Sequence, residues 1–159
     1  MSIPTRLTDY LAQQGSRFEV CMHRYSHSSA ETARSAHVRP AQLAKSVLLE
    51  DERGYLLAVL PADKLVMLGE LSALLDRRGL HLADEDSIST LLPDCEPGAL
   101  PAVGMAWGIE TVVDEELEDN PVVYVEGGDH ERLLKMSREQ FHTLMSAAHH
   151  GRFCRVSWH

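Results

Sequence analysis

The sequence predicts one α/β domain, and three observations carry that reading. At 159 residues the chain can bury one sizeable core and is too short for two ordinary domains. Apolar runs with the two-residue period or near-continuous character of strands alternate with segments that repeat every three to four residues between helix caps. No internal repeat, low-complexity stretch or linker divides residues 1–159, so a single unit is expected.

From Thr5 to Gln14, Leu7, Tyr10, Leu11 and Gln14 share one helical stripe, and Gly15 stands where that helix would end. Phe18, Val20 and Met22 alternate with Glu19, Cys21 and His23, the pattern of a strand burying its Phe18 face. A polar loop, Tyr25-Ser26-His27-Ser28-Ser29, leads into Ser28-x-x-Glu31, a capping box that starts a short helix through about His37. His27 therefore sits beside a helix N-terminus, where unpaired N–H groups can hold an anion or a carbonyl. Pro40 closes that segment, and Ala41 to Ala44 give one more helical turn. Ser46 to Leu60 then reads as a β-hairpin about the turn Asp51-Glu52-Arg53-Gly54, apolar enough to need cover on both faces. Lys45 stands at its mouth, where a lysine either snorkels to water or points at something bound.

Beyond Pro61, Leu68, Leu71, Leu74 and Leu75 fall on one helical face ending near Arg78 and Gly79. Leu80 and Leu82 suit a short strand, and Asp84 is placed to cap a helix that Pro93 stops. The stretch from Asp94 to Gly104 holds two prolines and two glycines within eight residues, which neither a helix nor an interior strand tolerates. It is a loop with an imposed path, of the kind that brings backbone N–H groups close to a ligand. Strands are expected at Ile109 to Val113, Pro121 to Val125 and Leu133 to Met136, with an acidic turn at Asp114 to Asp119 and a tight turn at Gly127-Gly128-Asp129-His130. Ser137-x-x-Gln140 is a second capping box, starting a helix that runs to about His149, buries Phe141, Leu144, Met145 and Ala148, and closes at Gly151. Phe153 to Trp158 is a tail suited to an edge strand.

Charge and cysteine usage narrow the function. The net charge is −9, yet residues 79–131 carry 14 acidic and no basic side chains, while both ends are net basic. A modest basic face made by the two ends suits a small contact with an RNA end better than a long groove or a DNA duplex. No stretch approaches the roughly 20 apolar residues of a membrane span, and no export segment opens the chain, so a cytoplasmic protein is expected. Cys21, Cys95 and Cys154 form no close-spaced pair, which fits free thiols in a reducing compartment.

Three features stand together in order: Lys45 at the start of an apolar hairpin, Gly98-Ala99-Leu100-Pro101 in a fixed loop, and Gly127-Gly128-Asp129-His130 before a strand and a capped helix. With Ala44-Lys45-Ser46, Leu57-Ala58-Val59-Leu60-Pro61-Ala62-Asp63, Glu96-Pro97 and Val112-Val113-Asp114, they resemble the YbaK and prolyl-tRNA synthetase-associated domain family over about Arg17 to Ala148. That resemblance implies an α/β (α+β) fold with a curved, mixed, mostly antiparallel, barrel-like sheet flanked by helices around a small pocket. It also implies hydrolysis of the ester joining an amino acid to the 3′ acceptor end of a mischarged tRNA, tRNA for proline among the candidates, with an aminoacyl-tRNA synthetase as a further partner.

By likeness, Lys45, Gly98 and His130 are the catalytic candidates. His27, Ser46, Ala99, Leu100, Pro101, Gly104, Gly128 and Asp129 are the substrate-binding ones. The family tends to have a phenylalanine after the proline of the loop, whereas Ala102 and Val103 follow Pro101 here. With Leu100 they suggest a pocket for a small or medium apolar side chain such as alanine. An aminoacyl ester is already activated, so its cleavage needs a placed water and a stabilised oxyanion and requires neither metal nor cofactor. Lys45 either stabilises that oxyanion or binds a terminal phosphate. His130 either serves as general base or only shapes the pocket.

Three other readings remain open. Cys95 lies three residues before Gly98, but no local signature marks it as a nucleophile. His149, His150, Cys154 and His159 are near one another in sequence without a paired zinc-ligand pattern. A module of the same fold could bind tRNA or a synthetase and cleave nothing.

Overall fold

The computed structural model describes residues 3–156. The chain runs α1 (Thr5–Gln13), β1 (Glu19–Met22), α2 (Ser29–Ser35), β2 (Leu43–Asp51), β3 (Gly54–Pro61), β4 (Lys64–Val66), α3 (Leu68–Leu75), β5 (His81–Leu82) and α4 (Glu85–Leu91). It continues through β6 (Glu110–Asp114), β7 (Val122–Glu126), β8 (Arg132–Ser137), α5 (Arg138–Leu144), β9 (His149–Gly151) and β10 (Cys154–Val156), with four short 3₁₀ turns between elements.

A mixed sheet of eight strands in the order β1-β8-β7-β2-β3-β6-β9, with β5 also on β2, forms the body, and β10 pairs with β4 in a separate ribbon. The β2–β3 hairpin is its centre, paired antiparallel from Ala44 opposite Pro61 to Asp51 opposite Gly54. Its middle residues, Leu56 to Leu60, are fully buried, because helices and loops cover both faces. One layer packs Leu7 and Leu11 of α1 with Leu57, Val59, Trp107, Val125 and Phe141, and the other packs Leu71 and Phe153 with Leu49, Leu56, Leu60 and Val112. The hairpin turn is clamped by the buried Arg77, whose Nε donates to Asp51 Oδ2 at 2.8 Å and whose guanidinium also reaches the Gly54 carbonyl at 2.9 Å. That clamp holds the Asp51 carboxyl down at about 2.

Local signals place the helix starts. Ser28, Asp84 and Ser137 each accept from a backbone N–H three residues on, those of Glu31, Ser87 and Gln140. Long-range contacts change five expectations. β2 starts at Leu43, not Ser46, because the turn Pro40–Gln42 ends early enough for Leu43 and Ala44 to pair in parallel with Tyr124 and Val125. β1 buries its other face: Val20 and Met22 are 48% and 65% exposed, while Cys21 packs with Ala33, Leu43 and Leu133 under α2. In α3 only Leu71 is buried. α5 stops at Leu144, and His149–Gly151, expected to end that helix, instead runs as β9 parallel to β6. β4 was not visible as a strand, since it exists through pairing with β10. Asp114 fixes that return, accepting at Oδ2 from the N–H groups of Phe153 (2.8 Å) and Cys154 (3.0 Å). The tail residue Trp158 lies outside the described residues.

Candidate functional site

Lys45 is the third residue of β2, opposite Leu60, and its Nζ donates to the Lys64 carbonyl of β4 at 2.5 Å. Burial pushes the ammonium down from its ordinary range, opposed by the nearby Asp63 and Cys154. One of its three protons is engaged, which leaves two for a ligand. The hydroxyl of the next residue, Ser46, is buried and has no hydrogen-bond partner among the described residues.

The opposite side is made by the Gly98 loop and the turn after β7. The Glu96 N–H donates to the Gly128 carbonyl at 2.8 Å, the Ala99 N–H to the Glu96 carbonyl at 3.1 Å, and Trp107 Nε1 to Asp94 Oδ1 at 2.9 Å. Gly98 itself is exposed at φ +84°, and a Cβ there would lie 3.2 Å from His130 Cε1 and 3.3 Å from the His27 carbonyl oxygen. Only glycine fits that conformation and that gap without strain.

His130 is 3% exposed and adopts φ +61°, a left-handed conformation held by the Asp129 carboxylate. Asp129 Oδ1 accepts from the N–H groups of Glu131 and Arg132, both at 2.9 Å, and Oδ2 pairs with the Arg132 guanidinium. His130 Nε2 lies 2.7 Å from the Pro97 carbonyl oxygen. A carbonyl can only accept, so Nε2 carries a proton and donates it; Nδ1 is buried and has no partner among the described residues. The imidazole thereby props the Gly98 loop from behind.

Between these walls lies an open cleft of about 350 Å³ lined by His27, Ser28, Ser29, Ala30, Lys45, Ser46, Val47, Ala62 and Gly98. Of the residues singled out by sequence, it gathers Lys45, Ser46, Gly98 and His27, with His130 directly behind Gly98. The others stand elsewhere. Ala99, Leu100 and Pro101 are buried, as are Ala102 and Val103, so the side-chain pocket expected from Leu100, Ala102 and Val103 is closed core. Gly104 is packed against Thr111 and Leu57, and Gly128 against Pro4 and Cys95. Asp129 is occupied with its own turn.

The cleft's apolar lining is instead Ala30, Val47 and Ala62. Tyr25, which no spacing or cap signal distinguishes, also belongs here: its hydroxyl donates to Glu96 Oε2 at 2.9 Å, latching the two loops together. Its ring stands edge-on to those of His27 (5.2 Å) and His130 (5.6 Å). Lys64 flanks Lys45 but pairs with Asp63 and Glu116, each at 3.4 Å, while Arg155 borders the adjoining groove.

The other two chemistries find no support in the geometry. Cys95 is 7% exposed, and burial, aided by Asp94, pushes its thiol up to about 12. His149 Nε2 contacts Glu110 Oε1 at 2.9 Å and His150 Nε2 donates to the Met145 carbonyl; His159 is outside the described residues. Among the described residues no group of three His, Cys, Asp or Glu side chains is arranged to hold a metal, and no helix is long and apolar enough to cross a membrane.

Comparison with known proteins bears on the same region. The family model described as an aminoacyl-tRNA editing domain matches residues 23–144. Among solved structures, a proposed trans-editing enzyme for prolyl tRNA synthetase superposes with a TM-score of 0.81 at 21% identity, covering 94% of this chain and 95% of that one. A hypothetical protein superposes at 0.82 and 21% identity over 94% and 99% of the two chains. A proposed signal transduction protein from Marinobacter aquaeolei VT8 superposes at 0.74 and 24% identity, covering 97% of this chain but 31% of that longer one. At these identities the superpositions speak for the fold. No curated protein matches the sequence at a significant level.

Proposed function

Because this chain belongs to the aminoacyl-tRNA editing domain family, we propose that it hydrolyses the ester of a mischarged tRNA, receiving the 3′ terminal nucleotide and its amino acid in the cleft between β2 and the Gly98 loop. The observation that supports this reading is the meeting of an ammonium and a bare loop amide from distant parts of the chain, Lys45 of β2 and Gly98 of the loop, at one cleft that Ser46 also lines. Among the described residues the Gly98 N–H makes no hydrogen bond, so it is available to a ligand oxygen.

The chemistry follows from those groups. Attack of water on the ester carbonyl builds negative charge on its oxygen, and donors fixed beforehand lower the barrier because they need not reorganise. The Gly98 amide and the Lys45 ammonium are such donors, while His27 and the β2 backbone at Ser46 border the place of the terminal ribose. His130 acts through the loop: its Nε2–H is spent on the Pro97 carbonyl, and its Nδ1 is enclosed. It is therefore a positioning residue, not the general base. Ala30, Val47 and Ala62 leave room for a small uncharged side chain. Since one methylene is worth only about 1–3 kcal/mol, the tRNA or a synthetase partner supplies part of the selectivity.

A panel of mischarged tRNAs incubated with purified protein tests the proposal directly. At least one carrying a small amino acid loses its ester faster than in buffer. If every member decays at its spontaneous rate while one or more binds, the domain is a binding module and the hydrolase reading is wrong.

A further inference from the structure

Behind the cleft lies a carboxyl that the mechanism does not use. Glu126, the last residue of β7, is 1% exposed, and among the described residues no donor of ordinary hydrogen-bond geometry reaches either of its oxygens. Among the described residues, the Thr32 hydroxyl of α2 is the group that favours its ionised form. Thr32 Oγ1 makes a short hydrogen bond with Ser26 Oγ, and both residues are wholly buried. The Ser26 N–H in turn donates to the His130 carbonyl at 3.3 Å, and the next residue, His27, presents its carbonyl to Gly98. On its other side Glu126 leads into Gly127-Gly128, where the Gly128 carbonyl anchors the Gly98 loop through Glu96. Both of these routes from Glu126 end at a wall of the cleft.

We propose that Glu126 is a positioning residue: protonated, it lies against the Thr32–Ser26 hydroxyl pair and keeps His27, Gly98 and His130 in register, and loss of its proton loosens that wall. As a control of rate this rests on the deacylase reading above; as a control of cleft structure it does not. The charged and titratable groups around Glu126 make its ionised form costly. Asp129, in the following turn, acts on it with like charge, while Arg132 of β8 is bound to Asp129. Lys45 follows the pair Ala44–Val125 on β2, one strand away, but is drawn off to the Lys64 carbonyl. Glu31 of α2 faces the His27 amide, and His130 faces Pro97. Burial first, then Asp129, pushes the Glu126 carboxyl up to about 8.

The sign follows from proton binding. The folded protein keeps a proton that the unfolded chain releases above its ordinary value of 4.5, so stability from this group is full below that pH and falls until about 8. The test compares wild type with Glu126→Gln, which is permanently neutral and of the same shape, across pH 5 to 9.5. Three readouts are followed: Tm, the ring resonances of His27 and His130, and deacylation corrected for spontaneous ester loss. Wild type should lose Tm relative to the variant as pH rises, show ring resonances shifting with a midpoint near 8, and lose activity roughly tenfold between pH 7 and 9. Glu126→Gln should abolish all three.

Thr32→Val, which removes that group favouring the anion, should move the midpoint upward and serves if the glutamine variant does not fold. If the rings titrate alike in wild type and Glu126→Gln, or the variant loses rate with the same midpoint as wild type, the proposal is overturned. If neither protein deacylates anything but the ring midpoint belongs to wild type alone, the hydrolase reading fails and the role of Glu126 in the cleft stands.

Discussion

The two walls of the cleft are built by opposite means. The β2 wall is regular: Lys45 and Ser46 sit on a strand whose backbone is fixed by pairing with β3, so their side chains are replaceable without moving the chain. The Gly98 wall is irregular, and its shape depends on particular groups: a glycine at φ +84°, an imidazole on the Pro97 carbonyl, a Tyr25–Glu96 latch and an Asp129 turn. In the proposed reaction, the first wall adds chemistry to a scaffold that would exist anyway. On the second, the scaffold would itself be the functional group, since what it offers is a backbone amide at a set place. Substitutions on the two walls should therefore fail differently.

The largest effect is expected at Gly98. Gly98→Ala forces a Cβ to within 3.2 Å of the His130 ring and 3.3 Å of the His27 carbonyl, in a conformation that alanine resists. The loop must back away, taking the N–H with it, and loss of one such donor costs roughly 10²- to 10³-fold in rate. Single-turnover deacylation should show that loss together with a lower Tm. Lys45→Met comes next, with a loss of roughly one to two decades and an almost unchanged Tm, because methionine keeps the apolar stem. The kinetic split identifies its role: a fall in kcat at constant KM marks an oxyanion donor, and a rise in KM alone marks a phosphate contact. A Tm drop as large as that of Gly98→Ala would show that both walls depend equally on their side chains, and the contrast drawn above would collapse.

The same contrast explains what could be read without coordinates. Strand β3, the caps at Ser28, Asp84 and Ser137, and the loop from Asp94 onward are fixed by near neighbours and are visible in the order of residues. Features made by distant partners are not. His149–Gly151 is polar and follows a helix, and it becomes a strand only because the edge of β6 is open to it. Val20 and Met22 have the apolar pattern of a buried face, but α2 lies on the side of Cys21. At the site, Lys45, Gly98 and His130 are recognisable because family resemblance preserves their order. Tyr25 and Glu126 carry no motif, since their significance lies in contacts with Glu96, 71 residues away, and with Thr32. Leu100, Ala102 and Val103 err the other way: their nearness to Gly98 in sequence suggested a pocket, but the loop turns them inward.

The smallest effect is expected at Cys95, which stands next to the irregular wall without belonging to it. Its side chain is in the core, and its sulfur is 3.4 Å from the position a Cβ would take on Gly128, so it supports the turn beneath the loop by contact alone. A thiol pushed up to about 12 is uncharged at neutral pH and has no path to an ester in the cleft. Cys95→Ser changes the volume little but buries a hydroxyl, at a cost of about 1–3 kcal/mol in stability. The deacylation rate at a temperature well below its Tm should stay within about twofold of wild type, because the Glu96–Gly128 hydrogen bond that sets the loop does not involve the side chain at 95. A loss of two decades with the fold intact would instead mean that sulfur takes part in the chemistry, and the amide and ammonium would then be accessory to a covalent route.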